Sequence, residues 1–309
     1  MGKAYDHVNI FQLKKAMDQI KLLQQFTHLI LDLFKDRTNQ VITAYGKTTA
    51  YDVLIGIDQG EVISPVLWCI YYDPLLAEIN NQNLGYTVSC NNIQQIPQLN
   101  SAVIEQHVPA LAFMDDTHWI TDKKDKLESM LSIADSFYRL NDIQINKNKS
   151  ELMMRTKIIK AKHPHEPTRI LGVYFNIEND EQYLISKVKA EINHLTNLMW
   201  KKKITDKHIL YIFNRIIIPR VKYWSQVFVL SPDLIYRLFV PFRRMFKNKL
   251  KFARIAPNAI LVNSYIYGYR NPYENQLQAK ITNFCIQLND TGILGRIIEI
   301  HLKLLQQLL

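Results

Sequence analysis

The segment Ala112-Phe113-Met114-Asp115-Asp116 gives the strongest indication of the fold, and Gln59-Gly60-Glu61-Val62-Ile63-Ser64-Pro65 precedes it by about fifty residues. Apolar runs at 109–113 and 118–121 flank the two aspartates, so the pattern predicts a strand, a tight turn and a second strand. Paired acids in such a turn are usually only solvated. Because a strand directs successive side chains to opposite faces, a metal site at Asp115 and Asp116 needs a further carboxylate from a neighbouring strand.

The earlier segment, residues 59–65, predicts a loop that leads into a helix. Gly60 would let the backbone come close to a ligand. Ser64 is predicted to be the helix N-cap and Pro65 suits the first helical position, so a helix is expected to run to about Asn80. The alternative is an ordinary capped loop.

The remaining pattern predicts a mixed first half and a helical second half. Apolar residues at helical spacing predict helices over 10–20, 26–34 and 125–140. Residues 40–45 and 48–57 are predicted to form a hairpin that turns at Gly46-Lys47, and the Asn- and Gln-rich residues 89–106 a surface loop. Beyond about residue 178 the pattern is helical, with breaks expected at Pro219, Pro232, Pro257 and Pro272. The expected class is α+β.

Charge is distributed unevenly along the chain, whose net charge is +10. Residues 1–150 carry 13 Lys and Arg against 17 Asp and Glu, whereas residues 151–309 carry 25 against 11. An excess of positive charge attracts polyphosphate backbones through counterion release. Basic clusters at 201–203, 243–244 and 247–251 are interleaved with aromatic residues, although each cluster alone could be a solubilising helix surface.

Cysteine usage and hydropathy indicate the cellular environment in which the chain is expected to fold. The three cysteines are far apart and form no Cys-x-x-Cys pair, which argues against a disulfide scaffold or zinc knuckle and favours a reducing environment. No apolar run reaches the length needed to span a bilayer, and no signal peptide opens the chain. The expectation is a soluble intracellular protein with no membrane partner; nucleus and cytoplasm are not distinguished.

The paired segments resemble the signatures of reverse transcriptases, in particular those of non-LTR retrotransposons. Other stretches resemble further motifs of this family in the same order: Lys3-Ala4-Tyr5-Asp6-His7-Val8, Asn146-Lys147-Asn148-Lys149-Ser150, Ile170-Leu171-Gly172-Val173 and Tyr267-Gly268-Tyr269. The resemblance implies a polymerase palm, an antiparallel sheet with packed helices, over 1–177. It implies a basic α-helical thumb and post-thumb region over 178–309, with the fingers largely absent.

The resemblance also implies roles for individual residues. Asp115 and Asp116 would be the metal ligands for two Mg²⁺ ions, with Mn²⁺ as the alternative cation, in two-metal nucleotidyl transfer to a primer 3′-hydroxyl. The partners implied are an RNA template, a DNA primer and dNTPs; the oligomeric state is left open. The remaining implied roles are the acid for the leaving pyrophosphate at Lys149, the sugar gate at Tyr5, nucleotide contacts at Gln59, Gly60 and Met114, and the primer grip at Leu171 and Gly172.

One departure from the family pattern bears on activity. The first palm aspartate of the family falls one residue before Met1, and Asp6 lies too far along the chain to replace it. We therefore expect the chain as given to have little or no polymerase activity. A non-enzymatic nucleic-acid-binding remnant of such an element is the main alternative. An RNA-dependent RNA polymerase is a third, disfavoured by Phe113-Met114 before the aspartates and by the aromatic Tyr5.

Overall fold

A computed structural model describes residues 4–91, 103–153, 166–178 and 180–308. The chain divides into two compact units, one formed by residues 1–150 and 291–309 and the other by residues 151–290. The sequence predicted a palm over 1–177 and a thumb over 178–309, and this functional division stays a prediction. The compact units divide in sequence between Ser150 and Glu151.

The first unit mixes helices with short strands, and the α+β class is confirmed. Its helices are α1 (Ile10–Gln19), α2 (Gln24–Asp32), α3 (Ser64–Asn81), α4 (Lys124–Leu140) and, from the C-terminal end of the chain, α12 (Ile293–Leu308). Its strands are β1 (Thr38–Asn39), β2 (Ile42–Thr43), β3 (Gly46–Lys47), β4 (Tyr51–Asp52), β5 (Tyr86–Asn91), β6 (Val103–Val108), β7 (Ala110–Phe113) and β8 (Asp116–Trp119). The helices predicted over 10–20, 26–34 and 125–140 are confirmed.

Strand pairing is antiparallel throughout the described residues, but it is divided among separate two-stranded ladders. In the first unit β1 pairs with β4, β2 with β3, β5 with β6 and β7 with β8. Backbone bonds from Tyr86 N to Ile120 O (3.1 Å) and from Ile120 N to Pro109 O (2.9 Å) join the last two ladders at one end. The resemblance implied an antiparallel sheet; the structure has antiparallel two-stranded ladders, of which these two are linked by individual bonds.

The hairpin over 38–52 forms, but its turn is not where the sequence placed it. Gly46 and Lys47 are paired in β3, and the turn is made by Ala44 and Tyr45. The cause is Thr43, whose Oγ1 accepts from Tyr45 N (3.2 Å) and donates to Gly46 O (2.8 Å). A threonine side chain that bonds nearby backbone can nucleate a turn without glycine at its centre.

The prediction of a surface loop over 89–106 is wrong at both ends of this range. Residues 89–91 belong to β5 and residues 103–106 to β6, and the two strands pair; residues 92–102 lie outside the described part. The physical reason is tertiary packing. Helix α12 packs against both strands, with Ile300 and Cys90 buried, and such packing overrides a composition poor in strand formers.

The core of the first unit lies between α1, α3 and α4. Aliphatic side chains from α1 meet an aromatic-rich face of α3, and α4 covers the other side of α3. The largest fully buried side chains of this core are Leu13, Met17, Leu67, Trp68, Tyr71, Leu75, Ile79 and Met130. Helix α3 is apolar around most of its circumference, which is typical of a helix buried on several sides.

The second unit is largely helical. It contains the hairpin β9 (Thr168–Ile170) and β10 (Val173–Phe175), followed by α5 (Gln182–Lys201), α6 (Asp206–Ile212), α7 (Ile218–Trp224), α8 (Pro232–Leu238), α9 (Val240–Lys249), α10 (Ala259–Val262) and α11 (Pro272–Leu288). Its core includes Phe213, Phe239, Phe242, Phe246 and Tyr269, and Phe213 stacks on Tyr269 with ring centroids 4.1 Å apart.

Three of the four predicted proline breaks are confirmed, and one is wrong. Pro232 and Pro272 begin helices, and Pro257 lies just before α10. Pro219, in contrast, lies within helical structure, because α6 continues through a π-helical turn, Phe213–Ile217, into α7. A π turn changes the local hydrogen-bond pattern and relieves the clash that proline causes in a regular helix.

No helix in the described part of the chain combines the length and the apolarity needed to cross a membrane.

Candidate active site

The two aspartates lie at the turn of the β7–β8 hairpin, as the sequence predicted. Phe113 pairs with Asp116, so Met114 and Asp115 form a two-residue turn. Met114 has a φ of 53°, a region that non-glycine residues rarely adopt and that costs about 1–2 kcal/mol. Asp115 is half-buried and Asp116 is exposed. The turn thus brings both carboxylates to one end of the hairpin.

Two aromatic side chains hold this turn through Met114. The Tyr5 hydroxyl lies 3.3 Å from Met114 Sδ, and Trp68 Nε1 donates to the Met114 carbonyl at 2.7 Å. The Tyr5 and Trp68 rings also contact each other, with centroids 5.8 Å apart. Because a chain segment near the N-terminus and helix α3 both bind the turn, the strained residue is fixed from two directions.

Behind the turn, α3 supplies a layer of buried tyrosines. The Tyr72 hydroxyl bonds Thr117 Oγ1 on β8 (3.0 Å) and the Tyr138 hydroxyl on α4 (2.6 Å). The preceding residue, Tyr71, donates to Asn141 Oδ1 at 2.6 Å. These bonds connect the hairpin to both helices, so the position of the aspartates depends on the packing of the whole unit.

Burial keeps these phenols neutral. Burial raises the pKa of Tyr72, of Tyr138 and of Tyr71 above the ordinary tyrosine value. The pKa of Tyr5 is also raised, first by burial and then by the neighbouring Cys69 and Asp115. Tyr5 therefore remains a neutral hydrogen-bond donor beside the Asp115 carboxylate.

Backbone hydrogen bonds to the Tyr5 segment support the loop that contains Gln59 and Gly60. Gly56 N donates to Val8 O (2.8 Å) and Ile57 N to Tyr5 O (2.9 Å), so this loop pairs with the Tyr5 segment. Gly56 has a φ of +90°, and a side chain there would lie 3.0 Å from the Asp6 carbonyl oxygen. Sequence reasoning missed Gly56, although an isolated glycine in a strand-like run signals close backbone approach.

The same loop is fixed by residues on both of its sides. Arg37 donates to the Gly56 carbonyl at 2.8 Å and forms an ion pair with Asp58 at 3.1 Å. Ser64 was predicted to be the N-cap of α3, but Ile63 occupies that position and the Ser64 hydroxyl donates back to Asp58 O at 2.6 Å. Ser64 is buried, so its hydroxyl bonds the nearest carbonyl of the preceding loop instead of a helix N–H.

The predicted nucleotide-contact residues in this loop are open to solvent. Gln59 and Gly60 are both exposed. Gly60 has a φ of +100°, and the space where a side chain would extend contains no atom within 4 Å. The loop therefore presents bare backbone at Gly60.

The other predicted residues lie further along the chain. Lys149 is exposed in a single 3-10 turn, Lys147–Lys149, of the first unit. Leu171 and Gly172 form the turn of the β9–β10 hairpin in the second unit, where the Tyr223 hydroxyl donates to the Leu171 carbonyl. The predicted short hairpin at this point is confirmed; its role is untested. Lys3 of the first motif lies outside the described residues.

The donor set at the β7–β8 turn suits a hard cation in part. Asp115 and Asp116 supply carboxylate oxygens, the ligands that Mg²⁺ prefers. Over residues 4–91, 103–153, 166–178 and 180–308, no group of three or more His, Cys, Asp or Glu side chains is placed to hold a metal. The described residues thus place two carboxylates, those of Asp115 and Asp116, at this turn.

Comparison with known proteins gives the family. Residues 1–175 match the model of the family described as Reverse transcriptase (RNA-dependent DNA polymerase). Over 149 residues the chain is 25% identical to the retrovirus-related Pol polyprotein from type-1 retrotransposable element R2 of Popillia japonica, a match that covers 48% of this chain and 19% of that relative. Since the family model covers more than half of its length, the chain belongs to the reverse transcriptase (RNA-dependent DNA polymerase) family.

Proposed function

We propose that this chain is the polymerase module of a non-LTR retrotransposon and that its site adds dNTPs to a primer 3′-hydroxyl on an RNA template. The observation that carries the proposal is the β7–β8 turn, where Tyr5 and Trp68 fix Met114 and thereby the two aspartates that follow it. The similarity to the R2 polyprotein supports the assignment to a mobile element.

Asp115 and Asp116 would hold the divalent cations, Mg²⁺ by preference. When bound, such ions activate the primer hydroxyl and neutralise charge on the triphosphate. The chain's own contribution is to hold both carboxylates in place, since the strained turn is anchored to a rigid core before any ligand arrives. Preorganised charge of this kind is a large part of what polymerase sites supply.

Tyr5 would select deoxynucleotides. Its ring packs against Trp68, and its hydroxyl is directed to Met114, so the side chain cannot easily move aside. A rigid aromatic ring beneath the incoming sugar would clash with a 2′-hydroxyl. Gln59 and the bare backbone at Gly60 would contact the nucleotide and the template, and Lys149 would protonate the leaving pyrophosphate.

Residues 1–177 would then act as the palm and residues 178–309 as the thumb and post-thumb region. Within the second unit, the β9–β10 hairpin with Leu171 and Gly172 would grip the primer terminus. The bond from Tyr223 to the Leu171 carbonyl would keep the hairpin turn in one conformation.

The test is primer extension on an RNA template with Mg²⁺ and dNTPs. The 309-residue polypeptide by itself supplies two site carboxylates, so we expect extension near background, lower by about 10²-fold or more than a chain with three. A chimera, in which the part of the R2 relative that precedes its matched segment is joined before Met1, should restore extension.

In the chimera, Asp115→Ala should abolish incorporation, whereas Asp18→Asn, at an exposed helical carboxylate, should leave it unchanged. A chimera that folds and binds primer–template in a salt-sensitive manner, yet never extends the primer, would favour the alternative of a non-enzymatic nucleic-acid-binding remnant. A preference for rNTPs over dNTPs would contradict the role of Tyr5.

A further inference from the structure

The middle of the second unit contains an unusual run of positive charge. Residues 234–273 include no Asp or Glu and eight Lys or Arg. Helices α9 and α10 lie within this run, and α8 enters it at Leu234. Positive charge with no acidic residue over this stretch of sequence creates a local potential that favours anions.

Residues of this run, together with Trp200, line a cavity of about 460 Å³, within the range typical of small-ligand sites. Three aromatic residues and four cations are among those that line it: Trp200, Tyr236, Phe252, Arg243, Arg244, Lys247 and Arg254. In the described part of the chain, no Asp or Glu lines it. Its walls therefore combine stacking surfaces with uncompensated positive charge.

Two of the cations are buried, each only 8% exposed, and are held by backbone carbonyls. Arg243 donates to Tyr236 O at 2.6 Å, and Lys247 donates to Ala256 O at 2.6 Å. Carbonyl oxygens satisfy these donors but do not neutralise their charge. Among the described residues, neither cation has an ion pair, so an anion in the cavity would provide the missing countercharge.

The Tyr236 ring is held in place by two contacts and leaves one face for stacking. The Arg243 guanidinium lies 4.0 Å from its centroid on one face, and Asn258 Nδ2 donates to its hydroxyl at 3.3 Å. The residue is nevertheless 56% exposed, so the opposite face is open. Trp200 is 43% exposed, and its carbonyl accepts from Lys249 Nζ at 2.9 Å. The Tyr236 ring, held by these contacts, loses little entropy when a base stacks on it.

We infer that this cavity binds one unpaired nucleotide of a single-stranded nucleic acid, with its base against Tyr236 or Trp200 and its phosphate beside Arg244 and Arg254. A cavity with aromatic walls suits a base that has left a helix, whereas the bases of a duplex are stacked on one another and their faces are not accessible to Tyr236 or Trp200. The inference goes beyond the proposed polymerase activity, since this site requires neither metal ions nor dNTPs.

The experiment measures binding of the full 309-residue chain to fluorescent oligouridylate and oligodeoxythymidylate of about twelve nucleotides, and to a duplex of the same length, without divalent cations. Single strands should bind more tightly than the duplex. Tyr236→Ala and Trp200→Ala should each weaken single-strand binding about tenfold, and Tyr236→Phe should retain it. Tighter binding of either oligonucleotide identifies RNA or DNA as the source of the strand and supports the inference.

The matched control is Tyr211→Ala, at an exposed aromatic on α6 outside the cavity, which should bind like the unchanged chain. Arg244→Ala and Arg254→Ala should each reduce the slope of log affinity against log salt by about 0.7, and Arg237→Ala should not. Thermal melting checks that every variant is folded.

Equal affinity for duplex and single strands would overturn the inference. So would unchanged binding by Tyr236→Ala and Trp200→Ala, or an equal loss of affinity for heparin, a polyanion without bases. None of these outcomes bears on the polymerase proposal, which is tested by extension with metal and dNTPs.

Discussion

The two units each contain a hairpin turn that begins with a large apolar residue at positive φ, Met114 at 53° and Leu171 at 48°. In both turns an aromatic side chain from a helix donates to the carbonyl of that residue, Trp68 in the first and Tyr223 in the second. The same device is therefore used twice. The difference is burial: Trp68 is 1% exposed, whereas Tyr223 is partly exposed.

Burial changes what each bond contributes. Water can replace an exposed donor at little cost, but a carbonyl that loses a buried donor stays unsatisfied. The first turn also has a second support, Tyr5 at the Met114 sulfur, and it is followed by Asp115 where the second turn has Gly172. The comparison indicates that the turn with the aspartates is held more firmly than the turn at Leu171.

The largest expected effect comes from removing the buried support altogether. Trp68→Ala should lower the free energy of unfolding of the first unit by about 3–5 kcal/mol, because it leaves a cavity beneath the turn. Trp200→Ala, at a partly exposed tryptophan of the second unit, should cost less than about 1 kcal/mol. Urea unfolding followed by circular dichroism checks both values, and equal losses would contradict the comparison.

The second-largest expected difference between the two units is how much stability each loses at alkaline pH. The pKa values of Tyr71, Tyr72 and Tyr138 are raised in the folded first unit, while the unfolded value is about 10. Their stabilising contribution is therefore complete below about pH 10 and is lost as the pH rises from there through the raised pKa values.

The second unit has Tyr269, whose pKa burial also raises, so its loss should be smaller. Urea unfolding between about pH 9 and pH 11 measures the slopes. Tyr72→Phe should flatten the slope of the first unit and Tyr269→Phe that of the second. A steeper slope in the second unit would show that the buried tyrosines of α3 and α4 do not govern stability at high pH.

A pair of matched variants measures what each hydrogen bond to a turn carbonyl contributes to stability. Trp68→Phe keeps an aromatic ring but removes the donor to Met114, and should cost about 1–3 kcal/mol. Tyr223→Phe removes the donor to Leu171 and should cost about 1 kcal/mol or less, since solvent reaches that carbonyl. Thermal unfolding of both variants gives the ranking; a larger loss for Tyr223→Phe would reverse it.

The smallest expected effect is a gain. Leu171→Gly relieves a positive φ at a partly exposed residue and should raise stability by up to about 1 kcal/mol. Met114→Gly relieves the same strain but removes the sulfur that Tyr5 contacts, so its net effect should be zero or a loss. Melting temperatures of the two variants, measured side by side, decide whether the second support matters.

The sequence predicted the features that depend on local pattern. Both hairpin turns, the helices of the first unit and the α+β class follow from residue periodicity and from the family motifs. It failed where distant residues decide the outcome. Strands β5 and β6 depend on α12, about two hundred residues away. The break expected at Pro219 failed for a local reason, the π turn that directly precedes it.

The candidate site shows the same division. Asp115, Asp116 and Tyr5 could be identified from motifs, and Tyr5 does lie at the turn. Trp68 and Arg37 could not, because their importance arises from contacts with residues between 19 and 46 positions away. No local pattern records such contacts. The sequence thus identifies the reactive side chains more readily than the residues that hold them.

The hydrogen bond between Trp68 and Met114 also places a fluorescent side chain at the candidate site. The Trp68 indole donates to the turn that bears Asp115 and its ring contacts Tyr5. Indole emission responds to changes in nearby dipoles and charge. Binding of a cation or a nucleotide at the aspartates should therefore alter intrinsic fluorescence, so that ligand arrival can be followed in real time without any attached dye.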